Sequence, residues 1–370
     1  MAIVNHKSDI LSAGSKLLVI LKFVLIFIAF FLSLSLISNA FSQLSGDIAK
    51  QIIVATSNPF VGFFIGILIT AIIQSSSTVT SLIVAMVAAG TLDLNSAIPI
   101  VMGSNIGTTV TSTIVALGHI SKKKEFKKAI AAAALHDFFN IFAVIILLPL
   151  QHFTGFLSFA SSRLTHLLYT PNFLDADFLN FSLKPISNFI YGILGDNTLI
   201  VLFVAAFLLF FSIRSFTEEI KSFLIGDSRK KLSNYFFGSA LQSLGFGALL
   251  TAALQSSSVT TSFIVPMAAT RKITLKQTFP FIMGANIGTT VTALVAALAI
   301  SETAVSLAVS HLIFNLVGTL LLFPIESVRN FPIYLAKKLG VYTLNNWVVG
   351  FSYLVFTFFL MPFLLIVIFK

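Results

Sequence analysis

Two short runs of neutral polar residues have the composition of a binding site. Gln74-Ser75-Ser76-Ser77 leads into Thr78, Thr80 and Ser81, and Gln255-Ser256-Ser257-Ser258 leads into Thr260, Thr261 and Ser262. Each run lies between apolar half-segments. Hydroxyls at a helix start combine O–H donors, exposed N–H groups and the positive end of the helix dipole. That combination suits an anion. Two such starts, arriving from opposite faces, would enclose one oxyanion without a lysine or an arginine. Close packing by small residues is the plainer alternative, but an identical quartet occurring twice favours a site.

A second pair of constellations suits a cation. Gly103-Ser104-Asn105-Ile106-Gly107-Thr108-Thr109 is matched by Gly284-Ala285-Asn286-Ile287-Gly288-Thr289-Thr290. Paired glycines, Asn and Thr inside an apolar span point to a broken helix whose unwound turn offers oxygen ligands. Scarce carboxylates argue against Ca²⁺ and for a monovalent ion such as Na⁺. The alternative is a glycine-mediated helix crossing. Asp137 is the one acidic residue well inside an apolar span, and an intramembrane ionisable group is a functional candidate by default. It reads as a cation ligand or counter-charge, or else as half of a salt bridge. His136 and His311 recur in matching positions and read as helix-to-helix hydrogen-bond donors.

The elements that position these residues form an internal repeat. GILITAIIQSSS at 66–77 returns as GALLTAALQSSS at 247–258, and MGSNIGTTVT at 102–111 returns as MGANIGTTVT at 283–292, both 181 residues on. His136, Asn140 and Pro149 match His311, Asn315 and Pro324 at an offset of 175. The expected layout is a cytoplasmic N-terminus (1–16), a first repeat (17–166), an external linker (167–196), a second repeat (197–340) and a terminal helix (347–368). The first repeat holds a transmembrane helix, a re-entrant hairpin (59–90), a broken helix (94–120) and a transmembrane helix (129–150). The second holds a transmembrane helix, a hairpin (233–270), a broken helix (275–300) and a transmembrane helix (303–325). Residues 17–38 have some character of a signal peptide, but their length and their counterpart at 198–213 make them a first transmembrane helix.

Composition agrees with this layout. The 370 residues are 57% hydrophobic and only 10% charged, against roughly 25% charged in soluble domains. A soluble enzyme and a nucleic-acid module are excluded, and there is no cysteine for a disulfide or a thiolate metal site. The net charge of +10 is topological. Lys122, Lys123, Lys124, Lys127 and Lys128 crowd one loop, Arg214, Lys221, Arg229, Lys230 and Lys231 a second, and Arg329, Lys337 and Lys338 a third. Basic loops stay in the cytoplasm, which makes the two repeats opposite in orientation. The fold class expected is an all-α polytopic membrane protein of two inverted-topology repeats with re-entrant hairpins and broken helices, plus scaffold helices.

With these motifs in place, the chain resembles the type II sodium–phosphate cotransporter family. The resemblance rests on the doubled QSSS, the doubled G-[SA]-N-I-G-T-T and the HDFFN/HLIFN pair at 136–140 and 311–315. It implies a secondary active symporter, not an enzyme, importing inorganic phosphate with Na⁺ by alternating access, with an elevator-like motion favoured. It implies phosphate binding by Gln74, Ser75, Ser76, Ser77, Gln255, Ser256, Ser257 and Ser258. It implies Na⁺ binding by oxygens of Gln74, Ser77, Asn105, Thr108, Thr109, Asp137, Gln255, Ser258, Asn286, Thr289 and Thr290. Aspartate at position 137 resembles the electrogenic members. No cofactor or transition metal is expected; the partners are phosphate, Na⁺, the lipid bilayer and a second copy in a homodimer, with no nucleic acid. Animal members brace and glycosylate the external loop, whereas here it has no cysteine and one sequon at Asn180. That loop and a chain expected to end in a helix resemble a compact bacterial inner-membrane protein. Dipoles and hydroxyls alone do not name phosphate, so another oxyanion, a small carboxylate or an anion channel stay as alternatives.

Overall fold

The computed structural model describes residues 13–43, 46–168, 185–190, 193, 197–224, 237–298 and 300–369. Most of the linker expected at 167–196, with the Asn180 sequon, lies outside them, as do Arg229, Lys230 and Lys231 of the second basic loop. Every element among the described residues is helical: α1 (Ala13–Ser42), α2 (Gly46–Thr56), α3 (Pro59–Ile73), α4 (Ser76–Ala88), α5 (Leu94–Leu117), α6 (Lys123–Thr154) and α7 (Phe156–Leu168) come first. Then follow α8 (Thr198–Leu224), α9 (Ala240–Leu254), α10 (Ser257–Ala269), α11 (Leu275–Leu298), α12 (Glu302–Leu322) and α13 (Glu326–Asn345). A last span, α14 (Trp347–Phe369), contains one π-helical turn at Phe356–Leu360.

Seven helices among the described residues are long and apolar enough to cross a membrane: most of α1 and α8, and α5, α6, α11, α12 and α14. The pair α2–α3 is bent by 101° where Asn58 caps α3 and Pro59 takes its first turn. Proline fits there because its missing N–H would have had no intrahelical acceptor. At 15 and 13 residues, α3, α4, α9 and α10 reach only about 20 Å at 1.5 Å per residue. That is short of the roughly 30 Å hydrocarbon core. These half-length helices carry the QSSS runs at their junctions.

The expectation of broken helices at 94–120 and 275–300 is corrected. Helices α5 and α11 run without interruption through Gly103–Thr109 and Gly284–Thr290. Their glycines bring backbones together. A Cβ on Gly103 would lie 1.9 Å from the Phe63 carbonyl oxygen, and one on Gly66 would lie 2.1 Å from that of Ile100. The second repeat copies this contact, with Gly284 at 1.9 Å from the Leu244 oxygen and Gly247 at 2.0 Å from that of Phe281. Helix α3 is thereby seated on α5, and α9 on α11, by the small-residue packing that membrane helices favour. The threonines answer to their own helix: Thr108 and Thr289 donate to the carbonyls of Ser104 and Ala285 at 2.8 and 2.9 Å. No backbone break is needed to satisfy them.

The main core fills the space between α1, α4, α5, α12 and α14, through Leu36, Ile37, Val84, Ala85, Ile98, Met102, Leu307 and Phe358. Phe203, Phe207 and Phe211 form an exposed apolar face on α8.

Candidate functional site

Each QSSS run folds the same way. Gln74 closes α3 in the left-handed conformation (φ 59°), and Gln255 closes α9 likewise (φ 50°). The next serine is extended and caps the following helix. Ser75 Oγ accepts from Thr78 N–H at 3.2 Å, and Ser256 Oγ accepts from Val259 N–H at 3.3 Å. Helix geometry leaves the first N–H groups of α4 and α10, on Ser76–Ser77 and Ser257–Ser258, without intrahelical acceptors. The positive ends of both dipoles stand at these junctions.

The two junctions touch. Ser77 Oγ donates to the Gln255 carbonyl at 2.8 Å, and Ser258 Oγ donates to the Gln74 carbonyl at 3.3 Å. Ser76, Ser77 and Ser257 are buried; Ser75, Ser256, Ser258 and Gln255 are half-buried, and Gln74 is exposed. Behind them a polar layer joins the repeats, with Ser112 Oγ donating to Thr261 Oγ1 at 2.8 Å. The arrangement brings eight neutral hydrogen-bonding side chains from both repeats to one place, with no basic side chain among them.

The asparagines of the second motif pair sit in a separate buried network. His311 Nε2 lies 2.9 Å from Asn105 Oδ1, and Asn105 Nδ2 donates to Asn315 Oδ1 at 3.2 Å. Crosswise, His136 Nε2 lies 2.9 Å from Asn286 Oδ1, and Asn286 Nδ2 donates to Asn140 Oδ1 at 3.1 Å. Asn140 Nδ2 also donates to the Asn105 carbonyl at 3.1 Å. Each histidine thus bridges to the asparagine of the other repeat, the helix-to-helix role that its repetition implies. The amide oxygens of Asn105 and Asn286 are both taken as acceptors. The hydroxyls of Thr108, Thr109, Thr289 and Thr290 donate to carbonyls three or four residues back and keep oxygen lone pairs free.

Asp137 is fully buried on α6. Its Oδ2 accepts from the Tyr353 hydroxyl at 2.6 Å, and its Oδ1 has no hydrogen bond among the described residues. Thr109, whose hydroxyl donates to the Ile106 carbonyl at 2.7 Å, also lies within hydrogen-bonding reach of the carboxylate. No basic side chain pairs with Asp137 among the described residues, so the salt-bridge alternative has no partner there. Tyr353 was not among the residues singled out from the sequence. Its signal was present: it is a phenol inside the apolar span that ends the chain, where a buried polar tip requires a partner.

The fold and these polar centres define a polytopic helical membrane protein whose candidate polar residues come from both halves of the chain. The comparisons with known proteins agree. The description "Na+/Pi-cotransporter" matches residues 29–169 and 208–362. Mouse "Sodium-dependent phosphate transport protein 2A" is 31% identical over an alignment covering 94% of this chain and 67% of the relative. Human "Sodium-dependent phosphate transport protein 2B" is 29% identical over 94% of this chain and 64% of the relative. No solved structure matches. The chain belongs to the Na⁺/Pi-cotransporter family, which is a family of transporters and not of enzymes.

Proposed function

We propose that this protein is a symporter that brings inorganic phosphate across the membrane with Na⁺. The observation that carries the proposal is the meeting of the two QSSS junctions, where Ser77 and Gln255 are joined at 2.8 Å. The free N–H groups and hydroxyls of Ser75–Ser77 and Ser256–Ser258 would hold the phosphate oxygens, with Gln74 and Gln255 at the rim. Neutral donors suit a transported anion, because a lysine or arginine would hold it too tightly to release. Sodium would be held by oxygens of Gln74, Ser77, Thr108, Thr109, Gln255, Ser258, Thr289 and Thr290, and by the free oxygen of Asp137. Asn105 and Asn286 would join them through the second lone pair of each amide oxygen, the first being taken by a histidine.

The mechanism we infer is electrogenic alternating access between inverted repeats. A body containing α3–α6 and α9–α12 would move against a scaffold of α1, α8 and α14. The basic loops support a cytoplasmic N-terminus, and we infer a bacterial inner membrane as the setting. The test is phosphate uptake into proteoliposomes under an imposed Na⁺ gradient, with membrane voltage varied and sulfate, arsenate and carboxylates as competitors. Saturable, Na⁺-dependent uptake that sulfate and carboxylates inhibit weakly is expected. Uptake indifferent to Na⁺ would overturn the proposal.

A further inference from the structure

Away from the QSSS junctions lies a cavity of about 620 Å³ between α6, the α10–α11 turn, α11 and α13. Five basic side chains line it: Lys127, Lys128, Arg271, Lys276 and Lys337. The floor is apolar, with Ala131, Ala268, Ile273 and Leu275. Among the described residues the one carboxylate paired with any of the five is Glu326, at 3.4 Å from Lys276 Nζ. The fields of Arg271 and Lys127 both fall on Lys128. The backbone of α13 presses on α6 here, since a Cβ on Gly340 would lie 2.3 Å from the Lys127 carbonyl oxygen.

Arg271 occupies a position that the fold reserves for glycine. It has φ 63°, the left-handed region. Its counterpart in the first repeat, 181 residues earlier, is Gly90 with φ 71°. The turns are built alike, with Thr91 N–H donating to the Met86 carbonyl at 3.1 Å and Lys272 N–H to that of Met267 at 2.9 Å. Glycine adopts this conformation at no steric cost, whereas a residue with a Cβ does not. The second repeat accepts that strain and places a guanidinium at the cavity. The first repeat has Thr91 and Asn95 where the second has Lys272 and Lys276. Arg271, Lys272 and Lys276 therefore have no basic counterparts in the first repeat, whose basic share of the cavity is Lys127 and Lys128 of α6.

We propose that this cavity is a second anion site, distinct from the transport site, that holds a phosphoryl group at the membrane surface. Guanidinium and ammonium groups converging over an apolar floor suit a phosphate that carries an acyl-chain glycerol, and basic pockets between membrane helices take such headgroups. A free phosphate would satisfy the same cations. The proposal stands whether or not the QSSS junctions carry phosphate.

The test uses the purified full chain in a neutral detergent without Na⁺, in a Ser76→Ala/Ser257→Ala background. Thermal unfolding is followed while dioctanoyl phosphatidylglycerol, dioctanoyl phosphatidylcholine or inorganic phosphate is titrated. Phosphatidylglycerol is expected to raise the midpoint, and the zwitterionic lipid is not. Lys128→Gln/Arg271→Gln should weaken that response by about tenfold or more, as loss of two cations from an anion site implies. Lys128→Arg/Arg271→Lys should keep most of it, which separates charge from folding. A response to phosphatidylglycerol alone identifies a lipid headgroup, and an equal response to inorganic phosphate identifies the free ion. An equal response in the neutralised and parent proteins, or no response to either anion, overturns the proposal.

Discussion

Ser77 of the first repeat donates its hydroxyl proton to the backbone carbonyl of Gln255 in the second, at 2.8 Å. The reciprocal bond, from Ser258 to Gln74, is longer at 3.3 Å. The two glutamine carbonyls are the last of α3 and α9, where left-handed closure leaves oxygens without intrahelical donors. Each junction thus satisfies the helix end of the other, and the two halves close on one another through their most polar residues.

Removing one of these hydroxyls should loosen the closed arrangement. A neutral hydrogen bond contributes about 1 kcal/mol net. Ser77→Ala is therefore expected to weaken apparent phosphate affinity by about fivefold, with Ser258→Ala weaker in effect because its bond is longer. Concentration-dependent phosphate uptake at saturating Na⁺ measures both. Unchanged affinity in both variants would separate the junction contact from substrate binding.

The glycines of α3, α5, α9 and α11 predict a sharp contrast in stability. Gly103→Ala and Gly284→Ala each drive a Cβ to 1.9 Å from a backbone oxygen. A backbone cannot yield as a side-chain tip can, so these variants should fail to give folded protein. Gly245→Ala meets nothing within 4 Å and should stabilise α9 by up to about 1 kcal/mol through helix propensity. Size-exclusion profiles and thermal midpoints of the three variants check this. A folded Gly284→Ala protein would refute the close approach.

The same residues show how far the sequence could be read. The membrane class was legible because apolar runs of spanning length are incompatible with a soluble fold. The repeat was legible because its motifs kept both identity and spacing. The continuity of α5 and α11 was not legible. Glycines that break a helix and glycines that admit a neighbouring helix look the same in sequence, and here the partner sits some forty residues away, as Phe63 does from Gly103. The Asp137–Tyr353 bond spans 216 positions, and no local pattern ties a lone tyrosine on the last helix to one carboxylate on α6. Nor does either QSSS quartet, taken alone, indicate that its serine reaches the glutamine of the other.

Asp137 and Tyr353 predict a stability effect that depends on Na⁺. Tyr353→Phe removes the hydroxyl that donates to the buried Asp137 carboxylate at 2.6 Å, and leaving such a group under-satisfied costs about 1–3 kcal/mol. A bound cation near Asp137 would replace the lost donor. Without Na⁺ the variant should melt below the parent protein, and added Na⁺ should close part of that gap where K⁺ does not. A gap unaffected by Na⁺ would remove Asp137 from the cation path.

Asp137→Asn keeps the size of the side chain and removes its charge. If Asp137 compensates one transported Na⁺, the variant should still take up phosphate but with reduced dependence on voltage. Each charge that crosses the membrane is worth about 2.3 kcal/mol per 100 mV, so losing one is readable in proteoliposomes clamped at different potentials. Voltage dependence equal to that of the parent protein would refute the assignment.

The His–Asn network predicts an energetic interlock between repeats. His311 reaches Asn105 across 206 positions, and His136 reaches Asn286 across 150, each at 2.9 Å. In both histidines Nδ1 has no hydrogen bond among the described residues, so the Nε2 contact is the one that satisfies each ring. Removing the asparagine leaves the ring without any partner, and removing both groups together avoids that penalty. A double-mutant cycle on His311→Ala and Asn105→Ala should therefore give a coupling of about 1 kcal/mol or more. His136→Ala with Asn286→Ala should give a similar value. The mismatched pair His136→Ala and Asn105→Ala shares no direct bond and should couple less. Their remaining connection runs through Asn140, which donates to the Asn105 carbonyl and accepts from Asn286. Chemical denaturation in mixed micelles gives all three cycles. If the mismatched pair coupled as strongly as the bonded ones, the energy would be spread through the helix packing and would not reside in the crossed bonds.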